Sequence, residues 1–303
     1  MTQQSGVFSQ IQSFPDPKVR GRYARLVGID AVKKRLLAEA SLLVAPSRLR
    51  DWSRQFHGDE LPVVKRFLCR PPLFLFAGDV GTGKTELAET MGDAIARALK
   101  VEAFLYSMTL TARGTGTVGE MTTLITSAFN EIREFAANSS GTICILHIDE
   151  ADALAQSREF AQMHHEDRAG VNALIRGIDQ LTDESLPVLV VMCTNRLNAI
   201  DPAIQRRAAA TYQFHRPNAT QRQAVLGDAL AGAGLDECQL KELAELSGPS
   251  GDTAYGFTYS DLTQRFLPGL VIEAFPDRAI DFQTAKAVLE SMTPTKPFET
   301  EQG

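Results

Sequence analysis

Residues 78–85 read Gly78-Asp79-Val80-Gly81-Thr82-Gly83-Lys84-Thr85, a full match to the phosphate-binding loop pattern G-x-x-x-x-G-K-[ST]. The pattern constrains the fold because it works only between a buried strand and a helix N-terminus. Both flanks are present. Pro72-Leu73-Phe74-Leu75-Phe76-Ala77 has the length of a buried parallel strand. Residues 86–100 follow, with Leu87, Met91, Ile95 and Leu99 on one helical face. The glycines let backbone N–H groups approach a polyphosphate, and the helix N-terminus adds positive potential. Lys84 is placed to reach the outer phosphates and the Thr85 hydroxyl to hold Mg²⁺. Asp79, Val80, Gly81, Thr82, Gly83 and Glu86 complete the candidate cradle. The chain is expected to bind a nucleoside triphosphate.

Four further strands are expected, at 101–108, 142–148, 188–194 and 210–215, with helices at 22–45, 121–137 and 168–181 between or before them. Alternating strands and helices imply an α/β fold with a parallel sheet and right-handed crossovers. After Pro217 the strand pattern stops. Helices are expected near 219–231, 236–247, 258–274 and 281–292, with Asp236 and Asp281 as N-caps. The domain reading is therefore an α/β domain over 21–217 and a small all-helical domain over 218–292. Residues 1–20, rich in Gln, Ser and Pro, and the tail at 293–303 are expected to lack fixed structure.

Three motifs would complete a phosphate-cleaving site. Ile143-Cys144-Ile145-Leu146-His147-Ile148-Asp149-Glu150 is an apolar strand ending in two carboxylates. The first suits support of Mg²⁺ and the second suits polarising a water. His147, inside the strand, reads as a buried or edge histidine rather than a catalyst. The strand Val190-Val191-Met192-Cys193-Thr194 ends at Asn195, whose amide would reach the γ-phosphate if that strand lies between the other two. Asp201-Pro202-Ala203-Ile204-Gln205-Arg206-Arg207 ends in two arginines, whose planar forks suit phosphate oxygens.

Loop, Asp-Glu, Asn and Arg in this order, followed by a helical segment, resemble the AAA+ ATPases over residues 22–292. The resemblance implies ATP and Mg²⁺ as cofactors, an adenine-cradling segment at Val27 and Gly28, and Asn195 as a sensor. It also implies Arg206 at the first position of the arginine finger toward a neighbouring subunit, with Arg207 standing in for the second position, which is Ala209 here. RAGVNALIRGIDQL (168–181) and RRAAATYQFHRPN (206–218) are similar to the pachytene checkpoint protein 2 / thyroid receptor-interacting protein group. In that group, hexameric rings remodel HORMA-domain proteins. TARGTGTVGEMTTLI (111–125) resembles the substrate pore loop of its bacterial members, with Thr117, Val118 and Gly119 at the gripping position. The resemblance implies a homo-oligomer, a HORMA-domain substrate and a nucleotidyltransferase bound to it in a CBASS-type anti-phage system. Three departures from the family stand out. Asp79-Val80 replaces a usual Pro-Pro, Thr117 replaces an aromatic residue, and Ser260-Asp261 stands where a sensor arginine is common, with Arg265 one turn later.

Composition narrows the alternatives. The 303 residues suffice for two domains, and a net charge of −6 without a basic stripe argues against a nucleic-acid partner. No apolar run is long enough to span a bilayer and no signal core starts the chain, so a cytoplasmic protein is expected. Cys69, Cys144, Cys193 and Cys238 lack metal-type spacing. HHEDR (164–168) lacks the spacing of a zinc protease, so His164 and His165 are not read as ligands. The alternatives are another AAA+ machine, such as a protease-partner unfoldase or an enzyme activase, and, less favoured, a clamp-loader-type ATPase.

Overall fold

The computed structural model describes residues 6–109, 120–154, 165–251 and 253–298. They form two compact units. The first takes the chain up to Arg25, then Ala31–Ala77 and Thr85–Gln213; the second takes Leu26–Asp30, Gly78–Lys84 and the chain from Phe214 onward.

The strands are β1 (Gln10–Phe14), β2 (Leu73–Gly78), β3 (Glu102–Thr109), β4 (Thr142–Asp149), β5 (Val188–Thr194) and β6 (Ala208–Phe214). They make one sheet in the order β1-β3-β4-β5-β2-β6. The helices of this part are α1 (Pro17–Ala24), α2 (Asp30–Val44), α3 (Pro46–His57), α4 (Pro62–Leu68), α5 (Lys84–Leu99), α6 (Glu120–Asn138), α7 (His165–Glu184) and α8 (Pro202–Gln205). β3, β4, β5 and β2 pair in parallel, which requires helices on both faces. One face carries Leu75, Leu146, Ile148 and Val190, packed with Ile125 and Phe129 of α6 and Leu174 and Ile178 of α7. α6 and α7 approach closely at Gly177, where a Cβ would lie 2.5 Å from the Phe129 ring. The other face receives α5, for a Cβ on Gly92 would lie 3.1 Å from Ile145 Cδ1 and 2.3 Å from the Phe14 ring.

That Phe14 contact corrects the expectation of a disordered 1–20. β1 pairs antiparallel with β3, Ile11 opposite Tyr106 and Phe14 opposite Ala103, so the sheet is not wholly parallel. Phe8 and Phe14 are buried, and the Phe8 and Tyr106 rings lie 5.0 Å apart. The Gln- and Ser-rich composition concealed a short edge strand anchored by two phenylalanines. The single helix expected over 22–45 is two, because the chain turns at Gly28, where φ is +79°. α3 and α4 carried no expectation; each starts with a proline in its first turn.

The second unit contains α9 (Ala219–Ala229), α10 (Glu237–Leu246), a π-helical turn at Asp261–Phe266 running into α11 (Leu267–Ala274), and α12 (Phe282–Ser291). Leu226, Leu243, Phe257, Leu262, Phe266, Leu270 and Leu289 form its core. Asn218 and Asp236 cap α9 and α10 with full capping boxes, and Asp281 accepts from Thr284 N–H at the start of α12. Pro268 supplies no N–H to the turn before it, which favours the widened π geometry there. The tail was expected to be loose from residue 293. Instead Thr295 is tied down, its hydroxyl and N–H donating to Asp261 at 2.6 and 3.1 Å.

Candidate functional site

The two carboxylates singled out in the sequence sit at the end of β4. Its buried apolar run carries the chain to Asp149, half-buried, and Glu150, exposed. Thr85, in the first turn of α5, donates its hydroxyl to both carboxylate oxygens of Asp149 at 3.2 and 3.3 Å. Glu150 N–H donates to Asp149 Oδ1 at 3.0 Å, and Glu150 itself adopts φ +52°. A non-glycine residue in that region is uncommon, and such strain concentrates at functional sites. β5 lies between β4 and β2 in the sheet, the arrangement on which the reading of Asn195 depended. Asn195 follows β5 directly and is half-buried.

A residue the sequence reading missed shapes the turn around Asn195. Asp152 is buried, accepts from the Thr194 hydroxyl at 3.3 Å, and faces Arg196 Nε at 3.6 Å. Arg196 N–H closes the turn by donating to Thr194 Oγ1 at 3.0 Å. Asp152, Thr194 and Arg196 thus brace the residues on either side of Asn195. No motif marks Asp152; only its burial does.

The arginine pair separates. Arg207 is engaged by Asp179 through Nε and Nη2 at 2.8 and 3.0 Å and donates to the Ala203 carbonyl. Arg206 is exposed and donates through Nε to the Pro202 carbonyl at 3.2 Å. His147 is buried in β4, with Nδ1 3.3 Å from Ser107 Oγ. Burial lowers its pKa against the opposing pull of Asp149 and Glu89, so the imidazole is neutral. Glu86 lends its carboxylate to Arg22 at 2.8 and 2.6 Å, leaving its backbone N–H, at the open end of a helix, as the group suited to an anion.

The phosphate loop belongs to the second unit. Gly81 has φ +71°, and a Cβ there would lie 2.7 Å from Thr258 Oγ1. Ser260 N–H donates to the Gly81 carbonyl at 3.1 Å, so the loop is seated on the start of the π-helical turn. Lys84 Nζ donates to the carbonyls of Gly78 and Asp79 at 2.8 and 2.7 Å, and Thr82 Oγ1 donates to Asp79 O at 2.7 Å. The Asp79 carboxylate accepts from Val80 N–H at 2.8 Å and from Arg216. Val27 packs on the core of this unit, and Gly28 offers its carbonyl to Gln221 Nε2 at 2.9 Å. A Cβ on Gly28 would lie 2.5 Å from both Gln221 Nε2 and the Tyr259 hydroxyl. Burial, helped by Asp30, pushes the Tyr259 phenol up to about 12, so it stays protonated.

Where a sensor arginine was sought, Asp261 does a structural job. It accepts from Thr258 N–H, from Thr295 and from Arg265 Nη1 at 2.7 Å. Arg265 is thereby committed to Asp261 and to the tail. Thr117, Val118 and Gly119, the expected pore residues, and His164 lie outside the described residues, as does the side chain of His165.

In the second unit, the Lys84 ammonium and the glycine-rich loop have the chemistry for a phosphate; in the first, the Thr85 hydroxyl and the Asp149 carboxylate have the oxygens for a hard cation. The space a Cβ would need at Gly81 is filled by Thr258 and Ser260, so only glycine lets the loop sit this close to the rest of its unit.

Comparison with known proteins agrees with this chemistry. Residues 74–216 match the family model described as "ATPase family associated with various cellular activities (AAA)". The chain is 49% identical, over 298 residues, to CD-NTase-associated protein 6 of Escherichia coli strain MS 115-1, covering 96% of each chain. It resembles the matching chain of the E. coli MS115-1 HORMA:CdnC:Trip13 complex at TM-score 0.90 and 49% identity, over 96% of this chain and 97% of that one. Rhizobiales Trip13 is similar at TM-score 0.76 and 41% identity, over 96% of this chain and 100% of that one. Among the described residues, no helix is long and apolar enough to cross a membrane.

Proposed function

Because the chain belongs to the AAA family of ATPases, and within it to the group of CD-NTase-associated protein 6, we propose that it hydrolyses ATP to remodel a HORMA-domain protein. The contact of Thr85 with Asp149, one residue before Glu150, carries the hydrolytic part of the reading. Lys84 and the loop N–H groups bind the outer phosphates. Thr85, supported by Asp149, would hold Mg²⁺, and the bound cation would spread the charge of the phosphoryl group. Glu150 accepts a proton from the attacking water, and Asn195 orients it. Arg206 serves as the finger toward a neighbouring subunit, since Arg207 is already held by Asp179. Val27 and Gly28 flank the base.

The substrate reading comes from the relative seen with HORMA and CdnC, which is half identical to this chain over nearly its full length. A homo-oligomeric ring, most simply a hexamer, would pull the HORMA protein from its closed form. That would restrain or reset anti-phage signalling by the associated nucleotidyltransferase. The test is capture by immobilised Glu150→Gln protein loaded with ATP. The HORMA protein encoded beside it should be retained with ATP and lost without it. An ATP-bound oligomer that retained no HORMA protein would overturn the substrate assignment and leave the ATPase intact.

A further inference from the structure

The phosphate loop carries Asp79-Val80 where the resemblance to the AAA+ ATPases leads one to expect two prolines. Proline fixes φ and stiffens a loop; aspartate and valine do not. An acid in a phosphate cradle also repels the ligand it should admit. The structure answers both problems at one residue. The Asp79 carbonyl accepts from Lys84 Nζ and Thr82 Oγ1, each at 2.7 Å. Its carboxylate accepts from Val80 N–H at 2.8 Å and from Arg216 Nε at 2.7 Å, with Arg216 Nη2 at 2.5 Å from Oδ2. Arg216 is itself fixed: Nη1 donates to the Gly256 carbonyl at 2.7 Å, and the guanidinium lies 4.9 Å above the Tyr255 ring. Both side chains are largely enclosed, Arg216 at 13% and Asp79 at 17% exposure, so solvent screens the pair far less than a surface ion pair.

We propose that Arg216 is a positioning residue for nucleotide: by engaging Asp79 it sets the conformation of the phosphate loop and neutralises the acid beside the bound phosphates. The proposal rests on the nucleotide-site reading above. It assigns a role to a residue about 130 positions from the loop in sequence, one that no phosphate-binding motif contains. It also gives an asymmetric expectation. Removing Arg216 leaves a bare carboxylate against the phosphates, whereas removing the charge of Asp79 leaves none.

The test is titration of the full chain with ADP and with ATP, and steady-state hydrolysis, for Arg216→Gln, Asp79→Asn and the two combined. Arg216→Gln should weaken both nucleotides roughly tenfold or more, as loss of an enclosed charged hydrogen bond does. The loss should appear in KM, with kcat within about twofold, because Glu150 and Asp149 are untouched. Asp79→Asn alone should cost a few-fold, and added to Arg216→Gln it should restore most of the lost affinity. A role of Arg216 confined to bracing Gly256 and Tyr255 would show no such rescue. Affinity of Arg216→Gln within twofold of wild type, or a double variant as weak as the single, overturns the proposal. If Arg216→Gln does not fold, Arg216→Lys with and without Asp79→Asn decides by the same rescue. Wild-type protein that bound neither nucleotide would overturn the nucleotide-site reading and this proposal with it.

Discussion

The Asp149–Glu150 strand end and the Gly78–Lys84 loop are held by opposite means. The strand end is fixed by its own neighbourhood in the sheet: a buried strand, parallel partners on both sides, and Thr85 at the start of a helix packed on the same face. The loop is fixed by side chains far away in sequence. Arg216 grips Asp79, Thr258 and Ser260 bound Gly81, and Gln221 holds the Gly28 segment within the same unit. A strand end made this way tolerates little except at its exposed tip, Glu150. A loop made this way can be loosened from a distance without touching a catalytic group.

The largest test of that contrast is at the tip. Glu150→Gln should reduce turnover by about 10²–10⁴-fold while nucleotide affinity stays close to wild type, checked by phosphate release and ADP titration. Normal turnover would place the proton acceptor elsewhere. Next comes Arg206→Ala, expected to cost about 10–100-fold in turnover of the assembled protein with affinity of isolated subunits unchanged. Arg207→Ala should instead act on stability and by no more than about 1 kcal/mol, since its pair with Asp179 is partly solvated. Reversal of those two results would exchange their roles.

Asp152→Asn tests whether the strand end depends on its brace. It should lose about 1–3 kcal/mol of stability by thermal melting, because a buried partner of Thr194 and Arg196 is weakened. Turnover should fall with it, through Asn195, and nucleotide affinity should not.

The last effect depends on pH and concerns acid stability of the second unit. Burial opposes the charge of Asp261, but hydrogen bonds from Thr295, Thr258 and Arg265 outweigh it and hold its pKa at about 2, below the ordinary 3.8. A depressed carboxylate stabilises the fold fully above its unfolded value and loses that contribution as pH falls toward its folded value. Roughly 2 kcal/mol should therefore disappear between about pH 4 and pH 2, and Asp261→Asn should flatten that slope in pH-dependent melting.

Legibility followed the range of the interactions. The strands of the parallel sheet and the helices of the second unit were readable because each announces itself within ten to twenty residues, by apolar runs, 3.6-residue periodicity or an Asp N-cap. β1 was not, because a strand of five residues gains its meaning only from β3, a hundred positions later. α3 and α4 were likewise unread, although each has a proline in its first turn and α3 ends on Gly58 at φ +78°. At the site, the motif residues Lys84, Thr85, Asp149 and Glu150 were named from spacing alone, and the structure brings Thr85 to Asp149. Asp152, Gln221 and Arg216 had no local signal, since each acts through a partner distant in sequence.

The sequence by itself determined that a phosphate-binding loop, two carboxylates and an arginine pair stand in the order of an AAA+ ATPase, because that chemistry depends on residue type and short spacing. Tertiary structure alone decided which arginine of the pair is paired with an acid of its own chain, that Asp261 engages Arg265 and Thr295, and that Asp79 meets Arg216. Those are matters of which charges meet at hydrogen-bond distance, and only the folded chain brings them together.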